Sequence, residues 1–329
     1  MPPDLLSALP VELLEEITSN LISEGDLRHL ASLVRTSWCF HRLFNAQLYR
    51  RGQHGGWADV QKGEPALLWA ARVGRLETIR RAMTVDGVRF DARILTQAVE
   101  CGQQAVVELL LDAVGMDVNG LDCYECTPLL GAVTQRDTPM VRLLLQHGAD
   151  VSCKACQPVS GVNKFPIDAA VKARQVEMTD MLLKAGTAGA GTALHTAAAI
   201  GHSPLAKLLL AHGVDVNYGG GWTPMHTAIS NSHHDMVQLL IDHGADVEVQ
   251  AHGQGSERDG YAPLLLATNY QMVATIKVLL EKGANVNATH DLHRLTPLTL
   301  AYERQADNVV QLLLQHGAKT YDDLTSASR

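Results

Sequence analysis

A short element ending in glycine recurs six times along this chain and limits its fold more than any other feature. Its copies are Leu145-Gln-His-Gly148, Leu183-Lys-Ala-Gly186, Leu210-Ala-His-Gly213, Ile241-Asp-His-Gly244, Leu280-Glu-Lys-Gly283 and Leu314-Gln-His-Gly317. The glycines are 38, 27, 31, 39 and 34 residues apart. A period in this range marks a supersecondary unit that buries its apolar face only by stacking on neighbours. A second element precedes each copy: Thr127-Pro-Leu-Leu-Gly-Ala132, Phe165-Pro-Ile-Asp-Ala-Ala170, Thr192-Ala-Leu-His-Thr-Ala197, Thr223-Pro-Met-His-Thr-Ala228, Ala262-Pro-Leu-Leu-Leu-Ala267 and Thr296-Pro-Leu-Thr-Leu-Ala301. Weaker copies at Pro65-Ala-Leu-Leu-Trp-Ala70 and Arg93-Ile-Leu-Thr-Gln-Ala98 bring the count to about eight units.

Each unit reads as two helices and an extended stretch. Threonine caps a helix start, and proline suits the first helical position. The small central alanines let a neighbouring helix approach closely. A tight turn leads to a second helix, with Ser203 as candidate N-cap and Pro204 in the first turn, an arrangement that Thr138 and Pro139 repeat. Val141, Leu144 and Leu145 fall at helical spacing on that second helix. The glycine then fits the left-handed position that ends it. Extended stretches such as Ala149-Asp-Val-Ser152, Val214-Asp-Val-Asn217 and Ala284-Asn-Val-Asn287 follow.

Helix, turn, helix and finger at this period resembles the ankyrin repeat, over residues 64–320. Tetratricopeptide repeats share the length but lack the Gly-Ala-Asp-Val-Asn finger. The resemblance implies an all-α solenoid of about eight units with β-hairpin fingers, followed by a tail, 321–329. It also implies that partners contact finger tips and the ends of the first helices. Trp222, Tyr261, Asn269, Tyr270, Tyr302 and Arg304 occupy such positions in units 6–8, and Tyr, Trp and Arg are favoured interface anchors. Unit 4 departs from the pattern: Thr187-Ala-Gly-Ala-Gly191 stands where a finger is expected, which predicts a truncated finger and an irregularity in stacking. Two long fingers, 153–163 and 250–260, could grip a partner.

Residues 1–50 follow another pattern. Leu13, Ile17 and Leu21 share one helical face, and Leu27 and Leu30 another. The string Leu9-Pro10-Val-Glu-Leu13-Leu-Glu-Glu-Ile17-Thr-Ser-Asn-Leu21, with Asp26-Leu27 and Leu33-Val-Arg-Thr-Ser37, resembles an F-box. That resemblance implies docking onto the Skp adaptor of a cullin–RING ubiquitin ligase, with Leu9, Pro10, Leu13, Ile17, Leu21, Leu27 and Leu30 as the apolar contact. A second reading, not exclusive of the first, makes these helices a cap over the open end of unit 1. Residues 51–63 are read as a linker.

Composition excludes several other functions. The net charge is −8 with no sustained Lys/Arg block, which argues against nucleic-acid or anionic-membrane binding. No apolar run is long enough to span a bilayer, and Met1-Pro2-Pro3-Asp4 does not open a signal peptide. Six cysteines in such a chain read as reduced thiols of the cytoplasm or nucleus. Cys123 and Cys126, with Cys153 and Cys156, form two C-x-x-C pairs on adjacent fingers. Fingers about 10 Å apart do not readily bring four sulfurs within about 2.3 Å of one zinc ion, so free thiols are expected and no metal or cofactor. His147, His212, His243 and His316 precede helix-ending glycines, where a donor meets free carbonyls. The ankyrin resemblance gives His195 and His226 an inter-repeat hydrogen bond. No catalytic signature was found: no His-Glu-x-x-His, Gly-x-Ser-x-Gly or phosphate-binding loop. The expectation is a monomeric, non-enzymatic adaptor that brings an unidentified target protein to a Skp–cullin–F-box ligase. The alternative is an ankyrin scaffold or regulator with no ligase link.

Overall fold

The computed structural model describes residues 66–85, 88–121, 126–152, 165–252, 259–290 and 293–326. The N-terminal helices expected over 5–49, and with them Leu9, Pro10, Leu13, Ile17, Leu21, Leu27 and Leu30, lie outside the described residues. So do Cys123, Cys153, Cys156, the whole finger at 153–163 and residues 253–258 of the second long finger. The chain divides into two compact units, Met1–Val159 and Ser160–Arg329.

In the first unit the described helices form three pairs. They are α1 (Ala66–Val73) with α2 (Leu76–Met83), α3 (Ala92–Glu100) with α4 (Gln104–Asp112), and α5 (Pro128–Thr134) with α6 (Thr138–Gln146). The first helices stack in the order α1, α3, α5. The second unit holds five pairs: α7 (Pro166–Lys172) and α8 (Val176–Lys184), α9 (Ala190–Ala199) and α10 (Ser203–Ala211), α11 (Pro224–Ser230) and α12 (His234–Asp242), α13 (Pro263–Asn269) and α14 (Val273–Glu281), α15 (Pro297–Glu303) and α16 (Asp307–Gln315). Their first helices stack on one another in order, and so do their second helices. A last helix, α17 (Tyr321–Ser326), occupies the segment read from sequence as a tail.

The stacking follows from the central alanines. Ala70, Ala98, Ala132, Ala170, Ala197, Ala228, Ala267 and Ala301 are all completely buried, which lets consecutive first helices approach closely. The helix starts are chemically explicit. Pro128, Pro166, Pro224, Pro263 and Pro297 each begin a first helix, and Thr127 Oγ1 accepts from Leu130 N at 3.3 Å. In the second helices the caps sit one residue earlier than the sequence suggested. Asp137 Oδ1 accepts from Met140 N (3.0 Å) and His202 Nδ1 from Leu205 N (3.2 Å), so Thr138 and Ser203 are already helical. At the other end Gly148, Gly186, Gly213, Gly244, Gly283 and Gly317 adopt φ between 80° and 92°, a left-handed backbone open to glycine without a Cβ penalty.

The turn between the two helices of a pair also goes left-handed. Gly74, Gly102 and Gly201 serve in three pairs, but Arg136, Arg174, Ser232, Gln271 and Gln305 hold φ of 54–60° in the other five. Side chains beside these turns tie neighbouring pairs together. Gln103 Nε2 donates to Arg72 O at 3.1 Å and His233 Nε2 to Ala199 O at 3.0 Å.

Among the described residues the finger backbone pairs with itself between His290 and Leu295, an isolated antiparallel bridge, and between Ala251 and Tyr261, whose N–H and carbonyl bond at 2.9 Å; β-hairpin fingers are not shown. Side chains also satisfy the finger backbone. The first Asx of each finger closes its own turn: Asp117 accepts from Asn119 N, Asp215 from Asn217 N, Asp246 from Glu248 N and Asn285 from Asn287 N, all at 2.8–3.0 Å. The third residue reaches the next finger. Asn119 Oδ1 accepts from Asp150 N, Asn217 Oδ1 from Asp246 N, Glu248 Oε1 from Asn285 N and Asn287 Oδ1 from Lys319 N, at 2.7–2.9 Å. With those backbone groups paired to side chains, strand pairing is not required.

Candidate interaction surface

The six residues picked out in units 6–8 separate into an inward group and an outward group. Tyr261 is 7% exposed, and its ring meets His290 edge-on at 5.2 Å. Its carbonyl accepts from His226 Nε2 (3.3 Å). Trp222 is half-buried with its ring 5.4 Å from that of His226. Its Nε1–H donates to Thr227 Oγ1 (3.0 Å), which lies 3.1 Å from His195 Nδ1, while His195 Nε2 bonds Tyr218 O at 3.0 Å. Trp222 and Tyr261 therefore belong to the joints between repeats, and a stripe of four aromatic anchors on one surface does not form.

The histidines carry those joints as the sequence implied. His226 is completely buried, its Nδ1 accepting from Thr223 N at 3.2 Å. Burial holds its pKa down to about 4, partly opposed by the bonds to the Tyr261 and Val249 backbones. Burial also lowers the pKa of His195, against the bond to Tyr218. His243 and His316 bond the Leu239 and Leu312 carbonyls at 2.8 and 2.9 Å. His147 and His212 turn instead to a carboxylate one unit earlier, Asp112 and Asp180. Unit 4 has Asp168 in the column of His195 and His226. Its buried carboxylate accepts from Thr192 Oγ1 at 2.9 Å, so a different residue makes the same kind of joint. Sequence reading passed over Asp168, although its place in the Thr-Pro-Leu-His column was a usable signal.

The outward group lies at the ends of α13 and α15. Arg304 Nη2 donates to Asn269 Oδ1 at 2.7 Å, and Gln271 Nε2 reaches the Arg304 carbonyl at 3.4 Å. Asn269 and Tyr270 are half-buried; Gln271, Tyr302, Arg304 and Gln305 are exposed. Among the described residues no carboxylate lies within ion-pair distance of Arg304. Tyr302 is the informative one. It follows the central alanine of its repeat, and that position is completely buried in the other seven units: Ala71, Val99, Val133, Val171, Ala198, Ile229 and Thr268. Tyr302 is 52% exposed there, and Leu314 on α16 is 49% exposed. A phenol, an oriented guanidinium and an amide on one edge suit the carboxylates and backbone carbonyls of a polypeptide.

A family model described as "Ankyrin repeats (3 copies)" matches residues 67–155, 97–189, 167–251 and 249–323. The chain belongs to the ankyrin-repeat family. Rabankyrin-5 of Homo sapiens is 44% identical over 68 residues, 20% of this ankyrin-repeat chain and 6% of that protein. The putative E3 ubiquitin-protein ligase XBAT35 of Arabidopsis thaliana is 45% identical over 64 residues, 19% of this chain and 14% of its own length. The chain thus spans a small fraction of either relative. The crystal structure of the Bcl-3 ankyrin repeat domain superposes with a TM-score of 0.56 at 26% identity, covering 67% of this chain and 97% of that one. Ankyrin repeats are protein-interaction scaffolds, and this chain shares that architecture. Among the described residues no group of three or more His, Cys, Asp or Glu could hold a metal, and no helix is long and apolar enough to cross a membrane.

Proposed function

We propose that this chain is a substrate-recognition adaptor. In this reading its N-terminal segment docks on a Skp-family adaptor of a cullin ligase and its repeats hold the target protein. It performs no covalent chemistry and acts by raising the local concentration of a target near the ligase. The observation that carries target recognition is the exposure of Tyr302 at a position buried in every other repeat, beside an Arg304 held by Asn269. An exposed Tyr and Leu on one repeat suit a partner that covers them. The ligase link rests on the resemblance of residues 9–37 to an F-box.

The target-binding half is tested in the full chain by replacing Tyr302 and Arg304 with alanine. Proteins co-precipitating with the variant and with the parent are quantified by mass spectrometry, and melting temperatures are compared. A defined subset lost at unchanged melting temperature is the expected result. An unchanged profile would remove this edge as the recognition surface.

A further inference from the structure

In the second unit the ladder of finger contacts lacks its first rung. Each of the fingers beginning at Asp150, Asp246, Asn285 and Lys319 donates a backbone N–H to a side chain of the finger before it. Asp215 holds the equivalent place in the fifth unit, and among the described residues its N–H has no acceptor. The cause lies in the chain length of unit 4. Five residues separate Gly186 from Thr192, where nine separate Gly213 from Thr223 and twelve separate Gly283 from Thr296. Unit 4 has no Ala-Asp-Val-Asn to place in front of Asp215.

The space that such a finger would take is open. A cleft of about 380 Å³ is lined by Leu183, Thr187, Gly191, Val214, Asp215 and Tyr218. That volume falls within the range of about 300–1,000 Å³ usual for ligand sites. In the complete fingers after Gly148, Gly244, Gly283 and Gly317 the residue following the glycine is buried: Ala149, Ala245, Ala284 and Ala318. Here Val214 is half-buried and Tyr218 is 43% exposed. Gly191 fixes the back wall. A Cβ there would stand 2.3 Å from the Tyr218 ring, so the ring lies directly against backbone. The rim is polar, with His212 Nε2 3.2 Å from Asp180 Oδ1.

We propose that this cleft takes an extended segment of a partner protein that completes the ladder. The segment carries small apolar residues for the Leu183, Val214 and Tyr218 walls, and an Asn or Asp whose side-chain oxygen accepts from Asp215 N–H. Continuity with the three rungs already formed in the second unit selects this occupant. The same side-chain-to-backbone bond joins every other consecutive pair of fingers in the second unit. The site is separate from the Tyr302 edge and does not depend on it.

The test uses the full chain and a capped peptide, acetyl-Gly-Val-Asp-Val-Asn-amide, copied from residues 213–217. Binding is followed by the NMR shift of the Asp215 amide. Saturable binding is expected, weakened at least tenfold when the peptide's Asn becomes Ala, and retained when Tyr302 and Arg304 are alanine. Inserting Ala-Asp-Val-Asn between Gly186 and Thr187 restores a finger and is expected to abolish binding. If that insertion does not fold, Val214→Lys is expected to abolish it at an unchanged melting temperature. No saturable shift at millimolar peptide, or equal binding by the insertion or Val214→Lys variant, would overturn the proposal.

Discussion

His226 should make the second unit acid-labile at a pH where its carboxylates are still charged. The imidazole is completely buried, accepts from Thr223 N at Nδ1 and donates from Nε2 to the Tyr261 carbonyl. That arrangement uses the neutral ring. Protonation at Nδ1 removes the acceptor for Thr223 and places a charge between two repeats. The folded pKa is about 4 against 6.5 in the unfolded chain, so the unfolded state binds the proton first as pH falls. Stability from this group is therefore full above about pH 6.5 and is lost as pH falls towards 4. The whole shift is worth about 3 kcal/mol, and about 2 kcal/mol of it is gone by pH 5. For a unit of this size that corresponds to a fall of about 4–8 °C in melting temperature. The control is His226→Leu, because leucine already fills the same column at Leu265 and is completely buried there. Thermal unfolding of both proteins is measured between pH 7.5 and 5. The parent should lose more stability than the variant by about that amount. Parallel curves would refute the assignment of a buried neutral imidazole at this joint.

Three further outcomes follow from the packing. Tyr261→Ala removes a buried ring between repeats and should cost about 3–5 kcal/mol, whereas Tyr302→Ala should leave the melting temperature unchanged; calorimetry on the two variants separates core from surface. Ser232→Gly relieves a left-handed turn at φ 60° and should raise stability by up to about 1 kcal/mol in urea titrations, since the αL penalty exceeds the added chain entropy. Asn217→Ala removes the rung to Asp246 N and should cost about 0.5–1.5 kcal/mol, with faster hydrogen exchange at the Asp246 amide.

The fold was legible because stacking imposes short-range chemistry. Proline at the first helical position, alanine at the helix crossing and glycine at the left-handed stop are each forced by backbone geometry, so they recur at a readable period. The His195 and His226 joints belong to the same class. The finger contacts were not legible, because Asp-Val-Asn does not say which backbone donors its side-chain oxygens take. Only the structure shows the Asx oxygens accepting within their own turn and the third residue reaching the next finger. The caps of the second helices were misplaced by one residue because Ser203 and Thr138 are good caps by type, while His202 and Asp137 hold the position. The aromatic stripe failed for another reason. Sequence spacing placed Trp222, Tyr261, Tyr270 and Tyr302 near the recognition face, but it does not encode which rings turn inward. Tyr302 stands out because its side chain is exposed where the equivalent side chain of the other seven units is buried, a difference of packing that spacing does not encode.

Recruitment to a ligase is the central claim, and co-purification of the full chain with a Skp-family adaptor tests it most directly. Three forms are compared: the parent, the Leu9→Ala/Pro10→Ala variant and the Tyr302→Ala/Arg304→Ala variant. The account predicts that the adaptor stays with the parent and with the Tyr302/Arg304 variant at equal stoichiometry and is lost from the Leu9/Pro10 variant, with the repeats still folded. Failure of the parent to retain the adaptor, or equal retention by the Leu9/Pro10 variant, would contradict it and leave an ankyrin scaffold with no ligase link.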